Sequence, residues 1–190
     1  MKLKTLTIAA LLGMAATAAQ AAPVQWTAGS GANGHWYEFI STAATWQNAF
    51  AAANASTYMG MQGYLATITS EAENTFASAL APAEAWLGGS DEAAEGTWLW
   101  MDGPEAGQAF KYTNWLDGEP NNTKPELGGE DYLHTNHAGR AGKWNDYGGP
   151  GFGADVPYGY IVEYNAPEPT TLTLLGLGLA GLIATRRRKQ

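Results

Sequence analysis

The stretch EPNNTKPELGGEDY, residues 119–132, resembles a loop in composition but is dense in oxygen-bearing side chains. Its prolines, glycines and asparagines predict turns rather than a helix or a strand. Shortly afterwards, WNDY at residues 144–147 adds a second Asn-Asp pair. From the residues alone, three interpretations are open: a solvated acidic loop, a catalytic pair of carboxylates, or a cage for a hard cation.

The cation interpretation rests on the atoms that these side chains offer. Calcium takes six to eight oxygen ligands from carboxylates, amide carbonyls and water, in a flexible shell. Five side chains match that preference: Glu119, Asn121, Glu130, Asn145 and Asp146. Between the first two, Pro120 predicts a rigid turn of the kind in which a cis bond occurs.

A transition-metal site would instead require histidine or cysteine ligands. The chain has no cysteine, and His134 with His137 is the one candidate histidine pair. On a strand-like segment their odd spacing predicts that the two rings lie on opposite faces. The spacing therefore disfavours zinc.

A catalytic interpretation would pair Glu119 with Glu130, as in a glycosidase. A general acid needs a raised pKa, whereas a bound calcium ion lowers the pKa of nearby carboxylates. The three histidines also lack an evident serine or cysteine partner motif. We therefore predict that the protein is not an enzyme.

Both ends of the 190-residue chain are typical of processing signals. Residues 1–22 combine two lysines, an apolar run and an Ala-Gln-Ala site, which predicts a secretory signal peptide. Residues 167–190 contain Pro-Glu-Pro, an uncharged run from Thr170 to Thr185, and a basic cluster. As a helix that run spans roughly 24 Å, which predicts a short transmembrane segment whose flanks complete the crossing.

The region between the two signals, residues 23–166, is predicted to be one domain. It carries four basic and seventeen acidic side chains. Such a surface disfavours nucleic acid and suits bound cations. Two helical patterns come first, over residues 41–56, capped by Ser41 or Thr42, and from the capping box Ser70-x-x-Glu73. Short aromatic strands with long loops follow, and the last one is expected to pair with the strand at 34–40, which predicts an α+β fold.

The order of these segments resembles the C-type lectin-like domain over roughly residues 34–164. The segments are TWQNAF, GYLATITSEAEN, AWLGGSDEAAEGTWLWMDG, YTNWLDGEPNN, GGEDY, GKWND and YIVEY. The resemblance implies two helices, short antiparallel strands and a long calcium-binding loop region. It also implies that Trp86, Trp98, Trp100 and Trp115 belong to the core.

The same resemblance assigns roles to the loop. It implies that Glu119, Asn121, Glu130, Asn145 and Asp146 hold the principal calcium ion. It further implies that Glu119, Asn121, Glu130 and Asn145 bind two sugar hydroxyls that complete the metal shell. The E-P-N order is the family's mannose, glucose and N-acetylglucosamine type. A second calcium ion is implied at Asp91, Glu95, Asn122 and Asp131, although family members with two ions usually carry Asp where Asn122 stands.

The family's usual disulfides are missing. Ala53 and Val162 occupy the positions of one cysteine pair, and Tyr132 replaces a cysteine of the other. We expect an apolar contact in place of the first bridge. Because losing a disulfide costs about 2–5 kcal/mol, calcium is expected to carry more of the stability here.

The C-terminal segment resembles the bacterial PEP-CTERM sorting signal. That resemblance implies processing by an exosortase-type enzyme, transient anchoring in the inner membrane, and then an extracellular or cell-surface location. Two functions follow as hypotheses. The first is a secreted lectin that binds a polysaccharide or glycan through calcium. The second is an extracellular matrix or adhesion module with a protein partner and a purely structural calcium ion.

Overall fold

The computed structural model describes residues 21–123, 128–149 and 158–165. The predicted signal peptide lies almost wholly outside this part of the chain, and the predicted C-terminal membrane segment lies wholly outside it. Within the described residues no helix has the length and apolar character needed to cross a membrane. The elements are β1 (Val24–Gln25), β2 (Trp36–Ala44), α1 (Trp46–Ala55), β3 (Thr57–Tyr58), β4 (Met61–Leu65), α2 (Glu71–Leu80), β5 (Ala85–Ser90), β6 (Leu99–Trp100), β7 (Tyr132–Thr135), β8 (Asn145–Tyr147) and β9 (Tyr158–Tyr164).

The two ends of the domain meet in one sheet. β2 pairs antiparallel with β9, with Trp36 opposite Tyr164 and Ile40 opposite Tyr160. This confirms the pairing expected between the last strand and the strand at 34–40. The sheet continues from β9 to β5, β7 and β8, and the β5–β9 pair is parallel. This order leaves β8 at the edge, beside the loop that carries the predicted ligands.

The first helix begins later than its sequence pattern predicts. Ser41 and Thr42 were expected to cap it, but both belong to β2, which runs on to pair Ala44 with Tyr158. The cap is Thr45, whose side chain accepts a hydrogen bond from the backbone N–H of Asn48. Sheet pairing therefore overrides the earlier capping residues.

The second helix begins where the capping box predicts. The Ser70 side chain accepts a hydrogen bond of 3.2 Å from the backbone N–H of Glu73. The Glu73 carboxylate, however, accepts from the backbone N–H of Thr69 at 2.7 Å rather than from that of Ser70. The start of the helix is thus held by both side chains, one residue away from the standard reciprocal pattern.

The core has two clusters, one on each side of the sheet, and the tryptophans divide between them. Trp86 lies in one cluster, and Trp98, Trp100 and Trp144 in the other, all of them buried. Trp115 is only partly buried and packs against the second of these clusters. The core assignment is therefore confirmed for three of the four framework tryptophans and is partly met by Trp115.

The positions of the missing bridge are filled by apolar packing. Ala53 and Val162 are both buried in the same cluster. A Cβ atom placed on Gly63 would lie 2.8 Å from Val162 Cγ1 and 2.9 Å from the Ala53 carbonyl oxygen. The two residues therefore converge on one glycine, as expected of an apolar contact that replaces a disulfide.

Candidate metal-binding site

The EPN loop is placed against β8 by the tryptophan that precedes that strand. The backbone N–H of Trp144 donates to the Asn114 carbonyl at 3.0 Å, and Leu116 N–H donates to the Trp144 carbonyl at 2.9 Å. Trp144 itself is fixed in the core, because its indole N–H donates to Asn74 Oδ1 at 2.7 Å. The Glu119–Pro120 peptide bond that follows is cis. The two backbone hydrogen bonds of Trp144 form a short parallel bridge between Trp115 and Trp144, which brings the loop beside Asn145 and Asp146.

The Asp146 carboxylate closes the loop onto the strand. Asp146 is fully buried. Its Oδ1 accepts from the backbone N–H of Asn121 at 3.2 Å, and its Oδ2 accepts from that of Asn122 at 2.7 Å. The Glu119 carboxylate lies close enough to that of Asp146 for the two to repel each other. The Asp146 carboxylate therefore orients the backbone of Asn121 and Asn122 and faces Glu119.

A second set of bonds joins the loop to Glu130, two residues before β7. Glu130 Oε2 and Asn121 Oδ1 both accept from the backbone N–H of Thr123, at 2.9 Å and 3.1 Å. The backbone N–H of Glu130 donates to Asn122 Oδ1 at 2.8 Å. Gly129 permits this approach, because a Cβ atom there would lie 2.1 Å from Asn122 Oδ1.

Asn145 completes the group on the strand side. Its side-chain amide nitrogen donates to the Asp146 main-chain carbonyl and lies 3.0 Å from His134 Nε2. The structure therefore brings the five predicted principal ligands into one hydrogen-bonded neighbourhood. Whether these residues bind calcium and sugar remains a prediction.

The electrostatics of this neighbourhood favour a cation. Burial raises the pKa of Glu119, and the Asp146 carboxylate raises it further. Glu119 Oε2 is buried and has no hydrogen-bond partner within the described residues. In the same part of the chain, no lysine or arginine forms an ion pair with these carboxylates. Since the side-chain atoms that would coordinate a metal ion are oxygens, the residues fit a hard cation such as calcium.

The residues predicted for a second ion also include buried carboxylates that lie close together and repel each other. Burial, with the nearby Glu95 and Asp131, raises the pKa of Asp91 to about 6. Burial, with nearby acidic groups, likewise raises the pKa of Asp131 to about 6. Asp91 Oδ2 accepts from Gly96 N–H at 2.8 Å, whereas Asp91 Oδ1 is buried without a partner in the described residues. A cation beside Asp91 and Asp131 would offset both the repulsion between the carboxylates and the free-energy cost of burying their charges.

Two details of this second group differ from the sequence pattern. Asn122 has its side-chain oxygen committed to the backbone of Glu130, so it is tied to the principal group. Glu92, which the pattern passes over, contributes to the raised pKa of Asp131 and accepts from the Tyr132 hydroxyl at 2.9 Å. Its position directly after Asp91 was the available signal.

The prediction that His134 and His137 lie on opposite faces is wrong. Their ring centroids are 5.3 Å apart, and the rings are nearly perpendicular. The strand ends at Thr135, and Asn136 with a φ of 62° turns the chain into a short 3-10 turn at His137–Gly139. The alternation rule of a strand therefore does not reach His137. Burial lowers the pKa of His134 to about 3, so this ring is neutral at pH 7.

Comparison with known proteins places this geometry in a family. Residues 42–149, more than half of the chain, match the Lectin C-type domain, and residues 165–189 match the PEP-CTERM protein-sorting motif. The chain is 36% identical over 141 residues to Halomucin of Haloquadratum walsbyi, a match that covers 70% of this chain and 1% of that protein. It is 30% identical over 122 residues to the alpha-N-acetylgalactosamine-specific lectin of Patiria pectinifera, which covers 60% of this chain and 67% of that lectin.

The fold agrees with the sequence matches. The cow C-type carbohydrate-recognition domain of CD23, solved in the presence of a GlcNAc2Man3 oligosaccharide, superposes with a TM-score of 0.57 and 26% identity. The match covers 79% of this chain and 100% of that domain. The chain therefore belongs to the C-type lectin domain family and carries a PEP-CTERM sorting signal.

Proposed function

We propose that this protein is an exported lectin that binds sugar hydroxyls through a calcium ion held by Glu119, Asn121, Glu130, Asn145 and Asp146. The family and fold are carbohydrate-binding and non-enzymatic, and the sorting signal indicates export. The observation that carries the calcium assignment is Glu119 Oε2, which is buried beside the Asp146 carboxylate and has no hydrogen-bond partner among the residues that the structure describes.

The protein side chains divide the recognition of the sugar between donors and acceptors. When bound, calcium supplies open coordination positions for two neighbouring hydroxyl oxygens. The amides of Asn121 and Asn145 donate to those oxygens, and the carboxylates of Glu119 and Glu130 accept the hydroxyl protons. The E-P-N order favours mannose, glucose or N-acetylglucosamine. A shallow site of this kind gives affinity on the order of millimolar, or about 4 kcal/mol, so useful binding depends on multivalency.

A second calcium ion is proposed at Asp91, Glu95, Asn122 and Asp131. The raised pKa values of Asp91 and Asp131 support this proposal, because they mark buried negative charge. Asn122 provides one charge less than the aspartate usual in the family, so we expect this ion to bind less tightly than in family members with that aspartate.

The chain organisation that we propose has three parts. Residues 1–22 direct secretion, residues 23–166 form the lectin domain, and residues 167–190 anchor the protein transiently in the inner membrane until an exosortase-type enzyme acts. Intact-mass measurement of the protein released by the producing cells tests this organisation. Released protein that retains residues 167–190 would contradict it.

Substitution of Asn121 with Asp separates a lectin from an adhesion module with structural calcium. Asn121 is exposed, and its replacement by a carboxylate removes the amide donor for sugar while leaving an oxygen for calcium. We expect Asn121→Asp to lose binding to immobilised mannose-type glycan and to keep its melting temperature in calcium within about 2 °C. The matched control is Asn48→Asp on the exposed face of α1, which should bind as the wild type does.

The opposite result would favour the adhesion module. If neither wild type nor control binds any glycan in calcium, while calcium still raises the melting temperature, the ion is structural and the sugar assignment is wrong.

A further inference from the structure

Three side chains with nitrogen and carboxylate ligands converge beside the proposed calcium ligands. They are Glu84, which precedes β5, His134 on β7, and His137 in the 3-10 turn. One ligand atom from each lies within 4.8 Å of those of the other two. His137 Nδ1 lies 3.2 Å from Glu84 Oε1. Among the described residues, no other group of three histidine and acidic side chains brings its ligand atoms this close together.

We propose that Glu84, His134 and His137 form a binding site for a transition-metal ion of the zinc type. Two histidines and one glutamate, with water in the fourth position, are a frequent zinc ligand set. At metal–ligand distances of about 2.0–2.1 Å, neighbouring ligand atoms of a tetrahedral site lie about 3.4 Å apart. The distance of 3.2 Å between His137 Nδ1 and Glu84 Oε1 already matches this edge. The His134 ligand atom lies within 4.8 Å of the other two and has to approach them by at most about 1.4 Å.

The surroundings hold these ligands in place. The backbone N–H of Ala138 donates to Glu84 Oε1 at 3.1 Å, and burial, with the nearby Glu84 carboxylate, raises the pKa of Tyr158. The Tyr158 ring also stacks on His134, with centroids 4.9 Å apart. Such supporting contacts around metal ligands orient them and raise affinity.

His134 carries the strongest single sign of an unmet partner. Its side chain is fully buried, and its Nδ1 has no hydrogen-bond partner within the described residues. A buried polar nitrogen without a partner is costly. A metal ion would satisfy Nδ1 when the proton of the neutral ring is on Nε2, with the Asn145 amide turned so that its oxygen accepts from that N–H. His137 and Glu84 are 29% and 28% exposed, so an ion can reach the site from solvent.

This site is distinct in chemistry from the calcium ligands. Zinc prefers imidazole nitrogen, whereas calcium prefers oxygen, so the two ions are expected to sort between the two groups. Asn145 lies next to both, because its amide nitrogen is 3.0 Å from His134 Nε2. For this reason, zinc binding must be measured with the calcium ligands saturated.

The test is titration of the full chain with zinc chloride at saturating calcium, against a chromogenic zinc chelator as competitor. We expect one equivalent of zinc to bind, and His137→Asn and Glu84→Gln each to weaken binding at least about 100-fold, since even supporting contacts are worth 10–100-fold. His35→Asn removes the remaining histidine of the chain and should leave zinc affinity unchanged.

Cobalt chloride gives an independent readout. Tetrahedral cobalt with nitrogen ligands produces visible absorption bands, and these should appear in the wild type and be absent in His137→Asn. Circular dichroism confirms that the partly exposed substitutions keep the fold. The proposal is overturned if the wild type binds no zinc at micromolar concentration, or if zinc affinity is the same in His137→Asn and Glu84→Gln as in the wild type.

Discussion

Replacement of Asp91 with Asn should have opposite effects on stability with and without calcium. Asp91 is 2% exposed, and burial together with the nearby Glu95 and Asp131 raises its pKa from 3.8 to about 6. The ionised side chain therefore opposes folding at pH 7 when no cation is bound. Asn keeps an oxygen that can accept from Gly96 N–H, and it removes the charge.

The size of the effect follows from the pKa difference. About two pKa units correspond to about 3 kcal/mol at 1.36 kcal/mol per unit. Solvent screening at the edge of the loop offsets part of this, so we expect Asp91→Asn to gain about 1–2 kcal/mol in EDTA. For a chain of this size, about 2–4 °C per kcal/mol, that raises the melting temperature by about 2–8 °C.

In calcium the sign should reverse. Calcium that binds the folded state at 100 times its dissociation constant adds about 2.7 kcal/mol of stability, and the variant loses most of this because it lacks a charged ligand. The assay is thermal unfolding of the full chain at pH 7 in EDTA and in 10 mM calcium. The control is Glu71→Gln, an exposed acid on α2, whose effect should be equal in both media.

The outcome that refutes this reasoning is specific. If Asp91→Asn lowers the melting temperature equally in EDTA and in calcium, the Asp91 charge acts by strengthening the hydrogen bond from Gly96 N–H and not as a cation ligand.

Three further predictions concern the same loops. EDTA should lower the wild-type melting temperature by several degrees. Because burial raises the pKa values of Asp91 and Asp131 from 3.8 to about 6, stability in EDTA should fall as pH rises from about 4 to about 6, with little change in calcium; thermal melts across pH that show no such difference would contradict this. Gly129→Ala should weaken calcium binding at least about tenfold by calorimetry, since its Cβ atom would clash with Asn122 Oδ1 at 2.1 Å. Gly118→Ala, at a similar positive φ but in open space, is the control, and equal losses in both variants would point to backbone strain alone.

Much of the fold could be predicted from local patterns. The capping box at Ser70 and the alternation in the last strand each depend on residues close in sequence, and both agree with the structure. The start of α1 could not be predicted in this way. Ser41 and Thr42 are good caps, but pairing of β2 with β9, more than a hundred residues away, keeps them in the strand.

In the candidate sites too, features set by residues close in sequence could be predicted, whereas features set by distant contacts could not. The five principal ligands fall in three recognisable motifs, E-P-N, E-D and W-N-D, so their grouping could be predicted. The meeting of His134 with His137 depends on a left-handed residue, Asn136, that strand alternation ignores. Glu84 joins them from the residue before β5, and no local spacing connects it to either histidine.

The central claim is that calcium at the E-P-N and W-N-D motifs holds sugar. The most direct measurement is binding of the full chain to a broad glycan array, in calcium and in EDTA. The account predicts binding to mannose-, glucose- or N-acetylglucosamine-type glycans in calcium and its complete loss in EDTA. Glycan binding that persists unchanged in EDTA, or no glycan binding in calcium by protein that calcium stabilises, would contradict it.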